Sequence, residues 1–159
     1  MKKIFCFLFF ITFSIAGFSQ AVLEVQSNSK GLYVVHTVHP KDNFYSVGRM
    51  YAVSPKEIAA FNALDMNAGL SVGQTIMIPL SAANFSQTKT TGTPVYYTVG
   101  EKEGLYRVSL KNGKVLMTSL RKWNHLTTDA ISTGQKLVVG YLQSTDVPAT
   151  TTAPVAKTE

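Results

Sequence analysis

Thr37-Val38, Phe44-Tyr45-Ser46-Val47, Ala59-Ala60-Phe61-Asn62 and Gly73-Gln74-Thr75-Ile76 follow one another along the chain. The same landmarks return in the same order as Thr98-Val99, Leu105-Tyr106-Arg107-Val108, Arg121-Lys122-Trp123-Asn124 and Gly134-Gln135-Lys136-Leu137. Ordered self-similarity of this kind marks a repeated structural unit. The register slips by one residue at Lys111-Asn112-Gly113-Lys114 and recovers before Gly134, so both length changes fall where a loop can absorb them. The chain of 159 residues therefore reads as two small domains, one at 33–80 and a more divergent one at 95–142.

Each copy reads as β-α-α-β, which makes the fold class α+β. Leu32-Tyr33-Val34-Val35 supplies β-branched and aromatic residues for a strand continuing to Val38, after a polar approach from Gln26 to Lys30. Phe44, Val47 and Tyr51 recur at helical spacing. Ser54-Pro55-Lys56-Glu57 predicts a second helix, with Ser as N-cap, Pro at the first helical position and Glu closing a capping box. Thr75-Ile76-Met77-Ile78 returns as a strand that Pro79 stops. In the second copy Leu116-Met117 replaces Ser54-Pro55, so its second helix lacks that cap, a cost of about 1 kcal/mol. Units this small commit most apolar positions to the core.

Outside the copies, residues 1–19 read as an export signal: Lys2 and Lys3, an apolar run from Ile4 to Ile11, then small residues before a cut after Ser19. The run is short for a membrane span, so no stable span is expected after cleavage. Cys6, the chain's one cysteine, lies within it, which leaves the mature protein without a disulfide or thiolate site. Of 15 basic residues two fall in this segment, so 13 remain against 9 acidic ones and the formal charge drops from +6 to +4. The excess belongs to the second copy, where Lys102, Arg107, Lys111, Lys114, Arg121, Lys122 and Lys136 face Glu101, Glu103 and Asp129. That basicity fits either a solvated helix face or an anionic polymer, and export argues against nucleic acid. The segments 81–94 and 143–159, rich in Ser, Thr, Ala and Pro, read as a flexible linker that lets the modules orient independently and a flexible tail.

With these landmarks the chain resembles the lysin motif, or LysM, family. His36-Thr37-Val38 and Tyr97-Thr98-Val99 are similar to its opening Tyr-Thr-Val, Asp42-Asn43-Phe44 to Asp-Thr-Leu, and Phe61-Asn62 and Trp123-Asn124 to Trp-Asn. Leu70-Ser71-Val72-Gly73-Gln74 and Ile131-Ser132-Thr133-Gly134-Gln135 are similar to its closing turn. The resemblance implies noncatalytic binding of N-acetylglucosamine-containing glycans, chiefly peptidoglycan and also chitin, in a shallow groove between two loops. Carried over by position, the first groove uses Asp42, Asn43 and Phe44 against Leu64, Asp65, Met66 and Leu70. The second uses Gly104, Leu105 and Tyr106 against Leu126, Thr127, Thr128 and Ile131. An N-acetylated sugar offers an amide for backbone groups, a methyl for an apolar pocket and ring faces for Leu, Met or Tyr.

Two departures stand out: Lys41 replaces the usual Gly, and Lys102-Glu103-Gly104 spans the Gly-Asp-Thr stretch, giving the second copy a first wall of different shape and charge. Asp42 has two available roles, capping the following helix or contacting sugar. Asn62 and Asn124 read as helix-ending or loop-bracing residues and not as ligands, and Phe61 and Trp123 as core at helical spacing from Ile58 and Leu120.

No catalytic group, metal site or cofactor is expected. His36 and His39 lie three apart at a strand end, where alternation points them to opposite faces, and Glu101 and Glu103 are loop charges without a cleft. The rival reading is an envelope interaction protein that uses the same fold for protein contacts. Either way the protein is placed in the periplasm, at the cell surface or outside the cell.

Overall fold

A computed structural model describes residues 22–143; the segment read as a signal, and all but the first residue of the tail, lie outside it. No helix among the described residues is long and apolar enough to cross a membrane.

The first module contains β1 (Val25–Asn28), β2 (Gly31–Thr37), α1 (Phe44–Tyr51), α2 (Pro55–Asn62) and β3 (Thr75–Pro79). The polar approach to β2 is itself a strand. Asn28 pairs with Gly31 across a two-residue turn, and Lys30 N–H donates to the Asn28 side chain at 2.8 Å. Val25 and the preceding Leu23 supply the apolar side that the polar residues concealed, both being buried. The sheet order is β1-β2-β3, antiparallel throughout. From α1, Phe44, Val47 and Tyr51 face the sheet, and from α2, Ile58 and Ala59. Burying each large side chain stabilises the fold by about 1.5–3 kcal/mol.

The second module repeats the plan with β4 (Phe85–Ser86), β5 (Thr93–Thr98), α3 (Leu105–Lys111), α4 (Met117–Trp123) and β6 (Lys136–Leu142), its strands ordered β4-β6-β5. Leu105, Val108 and Leu120 take the places of Phe44, Val47 and Ile58 in the core.

Segment 81–94 corrects the expected flexible linker. Phe85 and Ser86 pair with Leu142 and Tyr141, and Asn84 is fully buried. Its amide donates to the Tyr51 and Pro79 carbonyls of the first module, each at 3.1 Å, while its own carbonyl accepts Gln143 N–H at 2.7 Å. A second seam joins the modules where Tyr96 N–H donates to the Leu23 carbonyl at 2.8 Å, beside a parallel bridge between Glu24 and Tyr96. The buried side chains of both modules form one continuous cluster. Composition suggested flexibility because it counts Ser and Thr, whereas the structure turns on two residues, Asn84 and Phe85, with partners on both sides.

The expected capping box at Ser54 is absent. The Ser54 side chain makes no cap bond, and its backbone carbonyl accepts Ile58 N–H at 3.0 Å. Neither α2 nor α4 is capped by a side chain, so the expected difference between them disappears.

Candidate functional site

Both sugar-facing loops of the resemblance leave the same edge of each module. The first joins β2 to α1. Pro40 and Lys41 make a turn in which Asp42 N–H donates to the His39 carbonyl at 3.1 Å and Lys41 takes φ 78°. Proline before a positive-φ position is the pattern of a type II turn, whose third residue is ordinarily glycine. The second loop joins α2 to β3. Val38 N–H donates to the Gln74 carbonyl and Gly73 N–H to the Val38 carbonyl, both at 2.8 Å, which fixes the closing turn against the start of the first loop. Val99 makes the same pair of bonds with Gln135 and Gly134, at 2.9 and 2.8 Å.

Asp42 does not cap the helix. Asn43 immediately precedes Phe44 and does so, accepting from Tyr45 and Ser46 N–H at 2.9 Å, while Ser46 Oγ accepts Asn43 N–H at 2.9 Å. This is the capping box that was expected eleven residues later. Asp42 Oδ2 instead accepts His39 N–H at 2.8 Å and faces His36 Nε2 at 3.1 Å. Burial opposes its ionisation, but those two bonds prevail and hold the carboxyl below its ordinary value. His36 is fully buried, which drives its imidazole below the ordinary value despite the pull of Asp42. Its Nδ1 meets Tyr51 Oη at 3.1 Å.

Glu103 stands where Asp42 stood. Its Oε2 accepts Gly100 N–H at 2.9 Å and the Tyr97 hydroxyl at 2.7 Å, and Lys111 pairs with its other oxygen. Burial works to raise this carboxyl, and hydrogen bonds from Lys111, Tyr97 and Gly100 overcome it, lowering it to about 2. Overlaying His36 on Tyr97 and Asp42 on Glu103 would have revealed this shared brace. The sequence reading treated Glu103 as a loop charge because its partners lie six residues before it and eight residues after.

The second loop of the first module is a short 3-10 turn over Met66–Ala68, capped by Asp65, whose Oδ1 accepts Asn67 N–H at 2.9 Å. Asn62 and Asn124 brace these loops. Asn62 donates to the Ile58 and Met77 carbonyls at 2.8 and 2.6 Å and accepts Met77 N–H at 2.7 Å. Asn124 makes the matching set with Leu120 and Val138.

The sequence pattern of the LysM domain matches residues 36–79 and again 97–140, which is more than half of the chain. The chain belongs to the LysM domain family. It is 28% identical over 121 residues to an autolysin of Enterococcus faecalis, covering 71% of this chain and 16% of that protein. A protein of Lactococcus lactis subsp. cremoris named "Probable N-acetylmuramidase" is 28% identical over 131 residues, covering 72% of this chain and 30% of that one. The chain thus spans less than a third of either relative. Among solved structures, the spore cortex-lytic enzyme SleL of Bacillus cereus matches at 30% identity and TM-score 0.32, over 67% of this chain and 22% of that one.

Of the LysM positions expected to line grooves, Phe44 and Leu105 are core residues, 3% and 1% exposed, because the first residue of each helix turns its side chain inward. Leu64, Met66, Leu70, Leu126 and Ile131 are half-buried, packed on the core with one side open. Asn43, Asp65, Gly104, Thr127 and Thr128 are exposed, and Asp42 is largely covered. Tyr106 is 66% exposed and is matched by Tyr45 at 64%, a pair that the repeat overlay contained but only half used. Phe61 and Trp123 are half-buried against Tyr33 and Tyr141, with ring centroids 6.0 and 5.4 Å apart. A concavity of about 680 Å³ lies elsewhere, at the seam between modules, lined by Leu32, Leu80, Phe85, Gln87 and Gln143.

Proposed function

We propose that this protein binds N-acetylglucosamine-containing glycan without cleaving it, peptidoglycan being the first ligand and chitin the second. The double LysM match carries the reading. The relatives named as an autolysin and an N-acetylmuramidase point to the same class of polymer. Half-buried apolar side chains such as Met66, Leu70 and Leu126 suit the acetyl methyl and sugar faces, with loop backbone groups close by. Export, through residues 1–19, belongs to the same proposal.

Sedimentation of the protein with peptidoglycan, chitin and cellulose at low and moderate salt tests it. Salt-resistant recovery with the first two and not with cellulose supports recognition of the N-acetylated sugar, since salt removes a merely cationic attraction. Recovery with none of the three favours a protein-contact role in the envelope. M66A and L126A separate the modules: each lowers apparent affinity on the order of tenfold, or about 1.4 kcal/mol, if its loop meets sugar.

A further inference from the structure

His36 and His39 do not point apart. The strand ends at Thr37, so its alternation does not reach His39, and the turn through Pro40 and Lys41 brings Asp42 back to His39. The two rings meet edge to face, with centroids 5.7 Å apart. His36 Nε2 lies 3.1 Å and His39 Nδ1 3.6 Å from one atom, Asp42 Oδ2, and one ligand atom from each of the three residues lies within 4.8 Å of the others. We propose that His36, His39 and Asp42 bind a divalent late first-row transition metal ion such as zinc.

Three features of the site support this. A tetrahedral ion with bonds of about 2.1 Å sets its ligand atoms about 3.4 Å apart, and the two spacings to Asp42 bracket that value. Two imidazoles and a carboxylate are the donor set suited to zinc, cobalt, nickel or copper, and three protein ligands leave a position for water. Tyr51 meets the remote nitrogen of His36 and orients the ring, as the outer partner of a metal-bound histidine does. Asp42 only accepts, so His36 Nε2 carries the proton between them. An ion at Nε2 takes the other neutral tautomer: the Nε2 proton leaves to solvent, one proton is taken up from solvent at Nδ1, and Nδ1–H then donates to the Tyr51 oxygen, so the ring gains and loses one proton each. His39, 55% exposed, supplies the entry path. The second module is a built-in control, because Tyr97, Gly100 and Glu103 occupy the matching positions and offer no imidazole.

The test is calorimetric titration of the full chain carrying C6S, stripped by chelator, with zinc chloride, and absorption spectroscopy with cobalt(II). We expect one ion per chain, tetrahedral cobalt bands and a melting temperature that rises with zinc. H39A weakens binding at least about tenfold, the scale on which even outer partners act, and Y51F weakens it similarly, each compared with its own metal-free melting temperature. H125A leaves it unchanged. Absence of stoichiometric binding, equal binding by H39A and the parent, or equal loss in H125A would overturn the proposal and show the cluster to be a hydrogen-bonded brace alone. Asp42 belongs to both sites but His39 lies outside the residues assigned to sugar, so metal titration of H39A and glycan sedimentation fail or succeed separately.

Discussion

Asn62 and Asn124 each tie the end of a helix to the closing strand through three hydrogen bonds made by one side-chain amide. Removing such a side chain forfeits all three and leaves half-buried strand groups without these partners. N62A is therefore expected to cost about 2–4 kcal/mol in urea unfolding. This role was legible because an Asn at the end of each copy's second helix has little else to do. Asp42 was not, since the sequence offered capping or sugar contact, and which residue caps depends on which one first enters the helix. Glu103 gives a pH prediction. Its carboxyl titrates near 4.5 when unfolded and near 2 when folded, so the unfolded chain takes up the proton first on acidification. Its stabilisation is complete above about pH 4.5 and is lost as pH falls toward 2. Urea midpoints measured across that window should fall less steeply for E103Q than for the parent.

At the scale of elements, both strand-to-helix turns place lysine where the backbone is left-handed, at φ 78° for Lys41 and 57° for Lys102. A side chain there costs about 1–2 kcal/mol. Glycine removes that strain while adding about 0.4–1 kcal/mol of unfolded-state entropy. K102G should thus stabilise the protein by roughly 0.5 kcal/mol, read as a higher urea midpoint at unchanged slope. The opposite result is expected at Gly140 in β6. A Cβ there would lie 2.3 Å from the Phe85 ring and 2.9 Å from the Ser86 carbonyl, both on β4. G140A should cost about 1–3 kcal/mol by forcing the strands apart. The elements of each repeat were legible from periodicity and turn residues. Strands β1 and β4 were not, because each is short, partly polar and recognisable only by what it pairs with.

For the whole molecule, the continuous core predicts that the two modules melt together, with calorimetric and van't Hoff enthalpies in agreement. Asn84 is the clasp between them. N84A removes the donors to Tyr51 and Pro79 and should cost about 2–4 kcal/mol, broadening or splitting the transition. A single sharp transition at the parent's temperature would show that the seam does not couple the modules. Fixed modules also change the expectation for a polymer ligand. A second site on a flexible tether adjusts to the spacing of the first, whereas two held by Asn84 and Phe85 gain avidity only where the glycan presents sugars at the matching distance.

The repeat, the α+β class, the order β-α-α-β and the core positions Val47, Tyr51, Ile58, Val108 and Leu120 all followed from the sequence. Each depends on local periodicity or on a landmark seen twice, and neither needs knowledge of distant neighbours. Tertiary structure alone decided that Asn84 and Phe85 of the supposed linker are buried and tied to both modules, and that Asp42 and Glu103 are braces. It also decided that Phe44, on the apolar helix side its spacing predicted, and Leu105 serve the core and not a groove wall, and that His36 and His39 converge. Those outcomes depend on where a turn sends the chain and on which hydrogen bonds then form, over six residues for His36 and Asp42 and over 33 for Asn84 and Tyr51, quantities that composition and spacing do not contain.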